Sequence, residues 1–251
     1  MAPPLQSHLP YDYQDRPPLP GVRPLDPSAW LIRDEAFEGQ MAARDRLIAE
    51  VPETVLAMDP SARPAAEELL DLVLATVYPG TATVAPRPDG VAVPIDRSDP
   101  MECLGRLVQE DLCIMEKHRG EHVLTAAALC FPANWMLAEK MMRSMIRIHE
   151  PISSYDDQIG KRVQRLFDGI QVGRPLWRFN ALWYADPELH QPRSETARRT
   201  ERNSTSEAFL RSERQCLWRL PETRAVVFSI HTYVVPRAAV DTRAGAGDPG
   251  V

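Results

Sequence analysis

The chain has 251 residues, with 29 Lys and Arg against 35 Asp and Glu and a formal net charge of −6. This length predicts one or two domains with a sizeable core. The acidic balance argues against a nucleic-acid-binding surface, which needs a basic excess on one face. With 44% hydrophobic and 25% charged residues, wholesale disorder is excluded.

Cysteine usage, the N-terminal sequence and the longest apolar segment predict where the protein resides. The four cysteines form no Cys-x-x-Cys pair, so we expect reduced thiols and neither a disulfide framework nor an iron–sulfur site. The N-terminus lacks the charged start and apolar stretch of a signal peptide. The most apolar segment, residues 123–131, is too short to cross a bilayer. We therefore expect a cytoplasmic protein without membrane or nucleic-acid partners.

The N-terminal segment is rich in proline. Eight of the 24 prolines precede Ser28, and proline removes amide donors and disfavours helix in the residue before it. We predict an extended arm over residues 1–27, a folded domain over 28–236 and a flexible tail over 237–251. A polar stretch without periodicity, residues 190–206, is expected to be a loop or insert.

Helices are predicted mainly in the first two thirds of the chain. Asp34 can cap a first helix, and Pro64 suits the first turn of a second. Asp99 begins a short one. Apolar residues at helical spacing predict a Met-rich helix over residues 135–146 and a further helix from Asp156.

Strands are predicted in the second half. Residues 112–115 and 122–130 flank a turn with glycine and predict a hairpin. Further strands are expected at 176–184, 214–220 and 225–235. Two strands, then helices, then three strands predict an α+β fold with an antiparallel sheet, intervening helices and an N-terminal helical extension. The same order is typical of a PAS-like sheet.

One metal motif occurs by letter. His118-Arg119-Gly120-Glu121-His122 fits H-x-x-E-H, in which two imidazoles on one helical face bind zinc. Glycine at the centre and strand-like sequence on both sides favour a hairpin turn instead. Dinucleotide and phosphate-loop motifs are absent from the sequence, so any redox chemistry must draw its electrons from elsewhere.

A histidine at the end of the Met-rich segment is the first candidate ligand. His149 is followed by Pro151, which ends a helix, and methionine and Trp135 beside a single imidazole suit haem. A histidine at a helix end also pairs with free carbonyls, and methionines often form plain core. His231, on the last strand, is a second candidate, and the residues alone do not decide between the two.

Polar residues also recur on single strand faces. Arg178 and Asn180 share one face of their predicted strand, because side chains alternate along a strand. Arg211, Glu213 and Gln215 likewise share one face of theirs. Such residues are costly to bury unless they pair around a site. These polar side chains are therefore either exposed to solvent or part of a binding or catalytic site.

Taken together, these stretches resemble the haem-dependent oxidative N-demethylase alpha-subunit-like family. The resemblance runs from about residue 25 to 235 with its order intact. The matching blocks are residues 108–112, 131–140, Ile148-His149-Glu150-Pro151, Arg178-Phe179-Asn180, residues 211–221 and residues 228–233.

The resemblance implies a PAS-like domain that holds haem b and its iron. It implies removal of a methyl group from a small amine with O2, using electrons from NADPH through a separate flavin and iron–sulfur reductase subunit. By position, His149 would be the iron ligand. The residues implied to bind the cofactor with it are Trp135, Lys140, Arg178, Asn180 and Arg214. The residues implied to be catalytic are Arg211, Glu213, Gln215 and His231, with Arg214 as an alternate in the distal pocket.

Two positions depart from the family pattern. Ala181 stands where an aromatic residue is usual, and His231 where an arginine is usual. Both lie on strands that can face the pocket, so the substrate need not be a simple dimethylated amine. We expect a haem-dependent oxidase or monooxygenase acting on an amine or an amino-acid-derived substrate. One alternative is a haem oxidase of specialised metabolism that performs desaturation, cyclisation or oxidative decarboxylation. Another is a haem-based gas or redox sensor.

Overall fold

A computed structural model describes residues 3–15, 17–18, 20–149, 157–197 and 207–244. The helices are α1 (Phe37–Glu50), α2 (Pro52–Val55), α3 (Arg63–Val77), α4 (Pro100–Leu107), α5 (Leu137–Lys140), α6 (Met145–His149), α7 (Asp157–Gly169) and α8 (Arg237–Ala244). The strands are β1 (Arg23–Pro24), β2 (Leu56–Met58), β3 (Val84–Pro86), β4 (Ala92–Pro94), β5 (Asp111–His118), β6 (Glu121–Ala128), β7 (Leu176–Tyr184), β8 (Phe209–Arg219) and β9 (Val226–Pro236).

A seven-stranded sheet is the centre of the fold. Its strand order is β1-β7-β8-β9-β5-β6-β2, and every neighbouring pair is antiparallel. Strands β3 and β4 form a separate hairpin. The predicted α+β class with an antiparallel sheet is confirmed, and β7 has the predicted bounds. The PAS-like assignment stays a prediction.

The two faces of the sheet are covered by different helices. On one face, Leu217 and Ile230 pack with Leu137 of α5 and Phe167 of α7; we call it the α7 face. The opposite face, here the α3 face, packs against α3 and α4. Its contacts include Cys216, Val227, Leu70 and Leu104. Because side chains alternate, neighbouring residues of one strand belong to different faces.

The H-x-x-E-H segment is a hairpin turn, as predicted. Arg119 and Gly120 have φ of 50° and 94° between β5 and β6, the positive values that a two-residue hairpin turn requires. His122 bonds Gln164 of α7 (Nδ1 to Nε2, 2.9 Å). Among the described residues, no group of three His, Cys, Asp or Glu side chains could hold a metal ion.

The prediction of one helix over residues 135–146 is wrong. The chain forms α5 and α6 with a break between them, where Met142 has φ of 58°. There the Met142 amide donates to the Leu124 carbonyl (2.9 Å) and the Leu124 amide donates to the Arg143 carbonyl (3.2 Å). The open edge of β6 supplies these bonds, so tertiary pairing overrides the helical pattern.

The N-terminal segment lies along the sheet. β1 pairs with β7, and the backbone N–H of Gln6 donates to the Val234 carbonyl (3.0 Å). Tyr11 stacks on Phe179, with ring centroids 4.5 Å apart. In the segment expected to be a flexible tail, residues 237–244 form α8. The division into arm, domain and tail itself stays a prediction.

Two further expectations about the chain can be compared with the structure. All four cysteines are buried and free of disulfides. None of the described helices is long and apolar enough to cross a membrane. Of the predicted loop at 190–206, residues 198–206 lie outside the described residues.

Candidate functional site

A polar cluster lies on the α7 face, where β7 and β8 pair. Register places Asn180 opposite Glu213 and Arg178 opposite Gln215. Residues 213 and 215 fall on the same face as Leu217 because they alternate with it. The structure thus brings together four of the residues predicted from the sequence.

Glu213 is held by amide groups on both sides. Asn180 Nδ2 (2.9 Å) and Gln215 Nε2 (3.1 Å) both donate to its Oε2. The Glu213 amide donates in return to Asn180 Oδ1 (3.2 Å). Oε1 accepts no hydrogen bond within the described part of the chain, and the side chain is 12% exposed. The carboxylate is therefore fixed by one oxygen and open at the other.

Arg211 borders the cluster as a buried cation. Its Nη2 donates to the Phe131 carbonyl (2.7 Å), and its Nη1 donates to the Glu188 (3.2 Å) and Leu189 (2.9 Å) carbonyls. Its Nε has no hydrogen bond and lies 4.0 Å from Glu213 Oε1. Arg211 thus joins two loops and places positive charge beside the carboxylate.

Arg178 is a cation without a partner. Its Nε is buried and unbonded, and nothing in the described ranges forms a hydrogen bond or ion pair with its guanidinium. Burial lowers the pKa of Arg178, and the Glu213 charge offsets this only in part. A buried guanidinium nitrogen left without an acceptor is costly, although Arg178 as a whole is only partly buried.

An apolar wall of partly buried side chains lies on the same side of the sheet. Trp135, Met141, Met145 and Ile148 pack against the apolar core of the α7 face. α6 ends at His149, whose side chain lies outside what the structure describes. The predicted iron ligand thus follows directly on this wall.

Lys140 reaches the end of α6. Its buried Nζ donates to the Ile148 carbonyl (2.9 Å) and pairs with the Glu195 carboxylate. A neighbouring bond runs from the Glu195 amide to Glu139 (3.0 Å). Lys140 therefore holds the carbonyl one residue before His149 and ties it to the segment at 194–195.

His231 lies on the other face of the sheet. Register pairs it with Arg214, whereas Glu213 pairs with Thr232. Its Nδ1 is 3.0 Å from Glu110 Oε1, and its Nε2 is 3.1 Å from Asp34 Oδ2. Both ring nitrogens are occupied, so His231 has no free nitrogen for an iron ion. The expectation that it faces the pocket is corrected by the register of β9.

Charge on this histidine is stabilised by its two partners. Burial opposes protonation, but hydrogen bonds and charges from Asp34 and Glu110 outweigh it and raise the pKa of His231 to about 9. Burial likewise raises the pKa of Asp34, but bonds from His231, Gln109 and Gln6 outweigh it and lower that pKa to about 2. His231 is therefore an imidazolium between two carboxylates, and it stabilises the fold.

Arg214 and Ala181 also belong to the α3 face. Arg214 donates to the Trp30 (3.1 Å) and Ala29 (2.6 Å) carbonyls and lies over the Trp177 ring. Ala181 is buried beside Leu210 and Tyr233. Neither side chain lies on the face that bears the Glu213 carboxylate, so the departure at Ala181 does not alter the polar cluster.

Sequence reasoning did not identify Thr232 and Glu110 as residues of interest. Thr232 is opposite Glu213, and its Oγ1 is buried without a hydrogen bond. Glu110 stands in one of the resembling blocks but received no role. The alternation along β9 contained the signal for Thr232, which lies on the face opposite to His231.

The α7 face thus combines features that suit a flat apolar cofactor with a bound polar substrate. It has an apolar wall, a helix ending at a histidine, and buried polar atoms on Arg178, Arg211 and Thr232 without hydrogen bonds. These residues fit haem. A family model described as haem-dependent oxidative N-demethylase, alpha subunit-like, matches residues 21–248, most of the chain.

Proposed function

The chain belongs to the haem-dependent oxidative N-demethylase alpha subunit-like family, and from this premise we propose that it binds haem and uses O2 to oxidise a small amine. The family description supports a haem-dependent oxidoreductase with a small-molecule substrate and a further subunit. The substrate, the use of O2 and the PAS-like fold are part of the proposal.

One observation carries the proposal: a fixed carboxylate, open at one oxygen, on the sheet face that also bears the Trp and Met wall. In the proposal, His149 would hold the iron, and Trp135, Met141 and Met145 would line the ring system. Bound haem supplies the activation of oxygen, which the protein's own side chains cannot provide.

Glu213 is the residue that acts on the amine. An open carboxylate oxygen binds an ammonium N–H and accepts the proton that the amine loses before oxidation. Asn180 and Gln215 keep the carboxylate in one orientation, since both donate to Oε2. Arg211 holds the loops at Phe131 and at 188–189 around it.

The overall reaction balances with an external reductant. A secondary methylamine, O2, two electrons and two protons give the primary amine, formaldehyde and water. The sequence has no dinucleotide-binding motif, which agrees with electrons from a separate flavin and iron–sulfur reductase subunit.

The test measures O2 consumption and formaldehyde with a panel of methylated amines and a chemical reductant. We expect equal amounts of O2 consumed and formaldehyde formed. Glu213→Gln should lower kcat/KM about a hundredfold with haem content unchanged, and the exposed Glu121→Gln is the matched control. O2 consumption without formaldehyde favours desaturation, cyclisation or decarboxylation. A haem protein that consumes no O2 with any amine contradicts the proposal and favours a sensor.

A further inference from the structure

Arg178 and Glu213 are opposite charges that do not meet. Arg178 is opposite Gln215 and Glu213 opposite Asn180, so the two lie diagonally across β7 and β8. Diagonal neighbours in a sheet are within reach of long side chains. The described residues show no ion pair between them, and the Glu213 carboxylate is instead held by Asn180 and Gln215 through Oε2.

Arg178 lacks an anionic partner within the described ranges, and Glu213 has only a long ion pair with Arg211. Arg178 has no hydrogen-bond acceptor among the described residues, and its Nε is buried. Glu213 Oε1 has no donor within hydrogen-bond distance, and Arg211 Nε is 4.0 Å away. Buried charges are normally paired. A ligand that has both charges would satisfy Arg178 and the free oxygen of Glu213 together.

We propose that the α7 face binds a zwitterion, with its carboxylate on Arg178 and its ammonium on Glu213. This inference rests on the proposed function and names its substrate class: an N-methylated α-amino acid rather than a simple amine. In such a molecule the amine nitrogen and the carboxyl carbon are two bonds apart, which matches adjacent cationic and anionic anchors. Arginine suits this role because its planar guanidinium binds carboxylates with two parallel hydrogen bonds.

A haem propionate is the other source of a carboxylate for Arg178. It would place a second anion next to the Glu213 carboxylate and leave Oε1 with only the Arg211 cation, 4.0 Å away. A zwitterion satisfies both groups at once, so the substrate is the favoured source.

The experiment measures binding by titration calorimetry of the purified protein, before and after haem addition. The probes are N-methylglycine, N-methylalanine, N-methylphenylalanine, dimethylamine and acetate. We expect at least one N-methyl amino acid to bind about tenfold or more tightly than dimethylamine, as a charge-assisted hydrogen bond predicts.

Variants of Arg178 test whether this residue causes the preference for N-methyl amino acids over dimethylamine. Arg178→Met should remove it, leaving dimethylamine affinity within twofold and haem content unchanged, and Arg178→Lys should restore part of it. The exposed Arg174→Met is the matched control and should behave as wild type. The inference is overturned if no amino acid binds better than dimethylamine, or if Arg178→Met retains the preference. Loss of haem in Arg178→Met assigns Arg178 to a propionate and also overturns it.

The two proposals fail in different ways. A protein that takes up no haem but prefers N-methyl amino acids through Arg178 contradicts the proposed function and supports this inference. A haem protein that releases formaldehyde from dimethylamine, and that shows no preference for a substrate with a carboxylate, supports the proposed function and contradicts this inference.

Discussion

The two faces of the sheet treat buried charge in opposite ways. On the α3 face, His231 has a carboxylate on each ring nitrogen. On the α7 face, Arg178 has no partner among the described residues, and Glu213 accepts no hydrogen bond from them at Oε1. Polar groups paired by the chain's own residues help to hold a fold together, whereas those left open can bind a ligand. The α3 face is not fully satisfied either, because Glu110 Oε2 is buried without a hydrogen bond from the described residues. The comparison distinguishes residues that sequence reasoning had grouped as one site.

The largest effect is expected when the His231 imidazolium is removed from the α3 face. His231→Phe leaves the buried Glu110 and the partly buried Asp34 without their shared cation. We expect a loss of about 3–5 kcal/mol in the free energy of unfolding, the usual result of removing one partner of a buried ion pair. Urea unfolding followed by circular dichroism measures it, with His118→Phe in the β5–β6 hairpin as control. A loss no larger than that of the control would show that His231 is not the central cation of this cluster.

The same cluster predicts a pH dependence of stability. The pKa of His231 is raised from 6.5 to about 9 in the folded chain, so between these values the native state binds a proton that the unfolded chain lacks. Stability is fully present below pH 6.5 and falls as the pH rises towards 9, by at most about 1.4 kcal/mol per pH unit. Melting temperatures measured across this range should fall for wild type and change less for His231→Phe. Equal slopes for both proteins would contradict the assigned partners.

Lys140 is expected to act on the α7 face through helix α6. Lys140→Met removes the donor to the Ile148 carbonyl and the partner of Glu195, at a cost of about 1–3 kcal/mol. Haem should dissociate faster, since His149 is the next residue, and transfer to a haem-scavenging protein measures the rate. Arg143→Met is the matched control, because Arg143 also contacts Glu195 but is 45% exposed where Lys140 is 5% exposed. Equal dissociation rates in both variants would leave Lys140 without a positioning role.

The smallest effect is expected for Arg178. Arg178→Met removes a partly buried cation that has no partner among the described residues, so the free energy of unfolding should fall by no more than about 1 kcal/mol, or rise. The same urea measurement applies. A loss comparable to that of His231→Phe would mean that Arg178 is structural, and the contrast between the faces would disappear.

Much of the fold followed from local patterns. Alternating apolar residues predicted β7 and the β5–β6 hairpin, and glycine in the H-x-x-E-H segment predicted its turn. The helix at 135–146 was predicted wrongly, because its backbone pairs with β6, and no local pattern encodes that edge. Strand β8 begins at Phe209, earlier than expected, because its first residues gain order from β7 and β9.

The site was only partly predictable from sequence. Alternation grouped Arg211, Glu213 and Gln215 correctly on one face. Which face of β9 meets them depends on register, which is set by pairing between distant residues. His231 was therefore grouped with the cluster, although Thr232 is the residue opposite Glu213.

The proposed function depends most on the prediction that haem binds at the α7 face with His149 as its iron ligand. The most direct measurement is an absorption titration of the purified protein with haem, in the ferric, ferrous and CO-bound states, for wild type, His149→Ala and His118→Ala. We expect a Soret band that saturates at one haem per chain in wild type and in His118→Ala, and that is lost in His149→Ala. No Soret band in wild type, or the same band in His149→Ala, would contradict it.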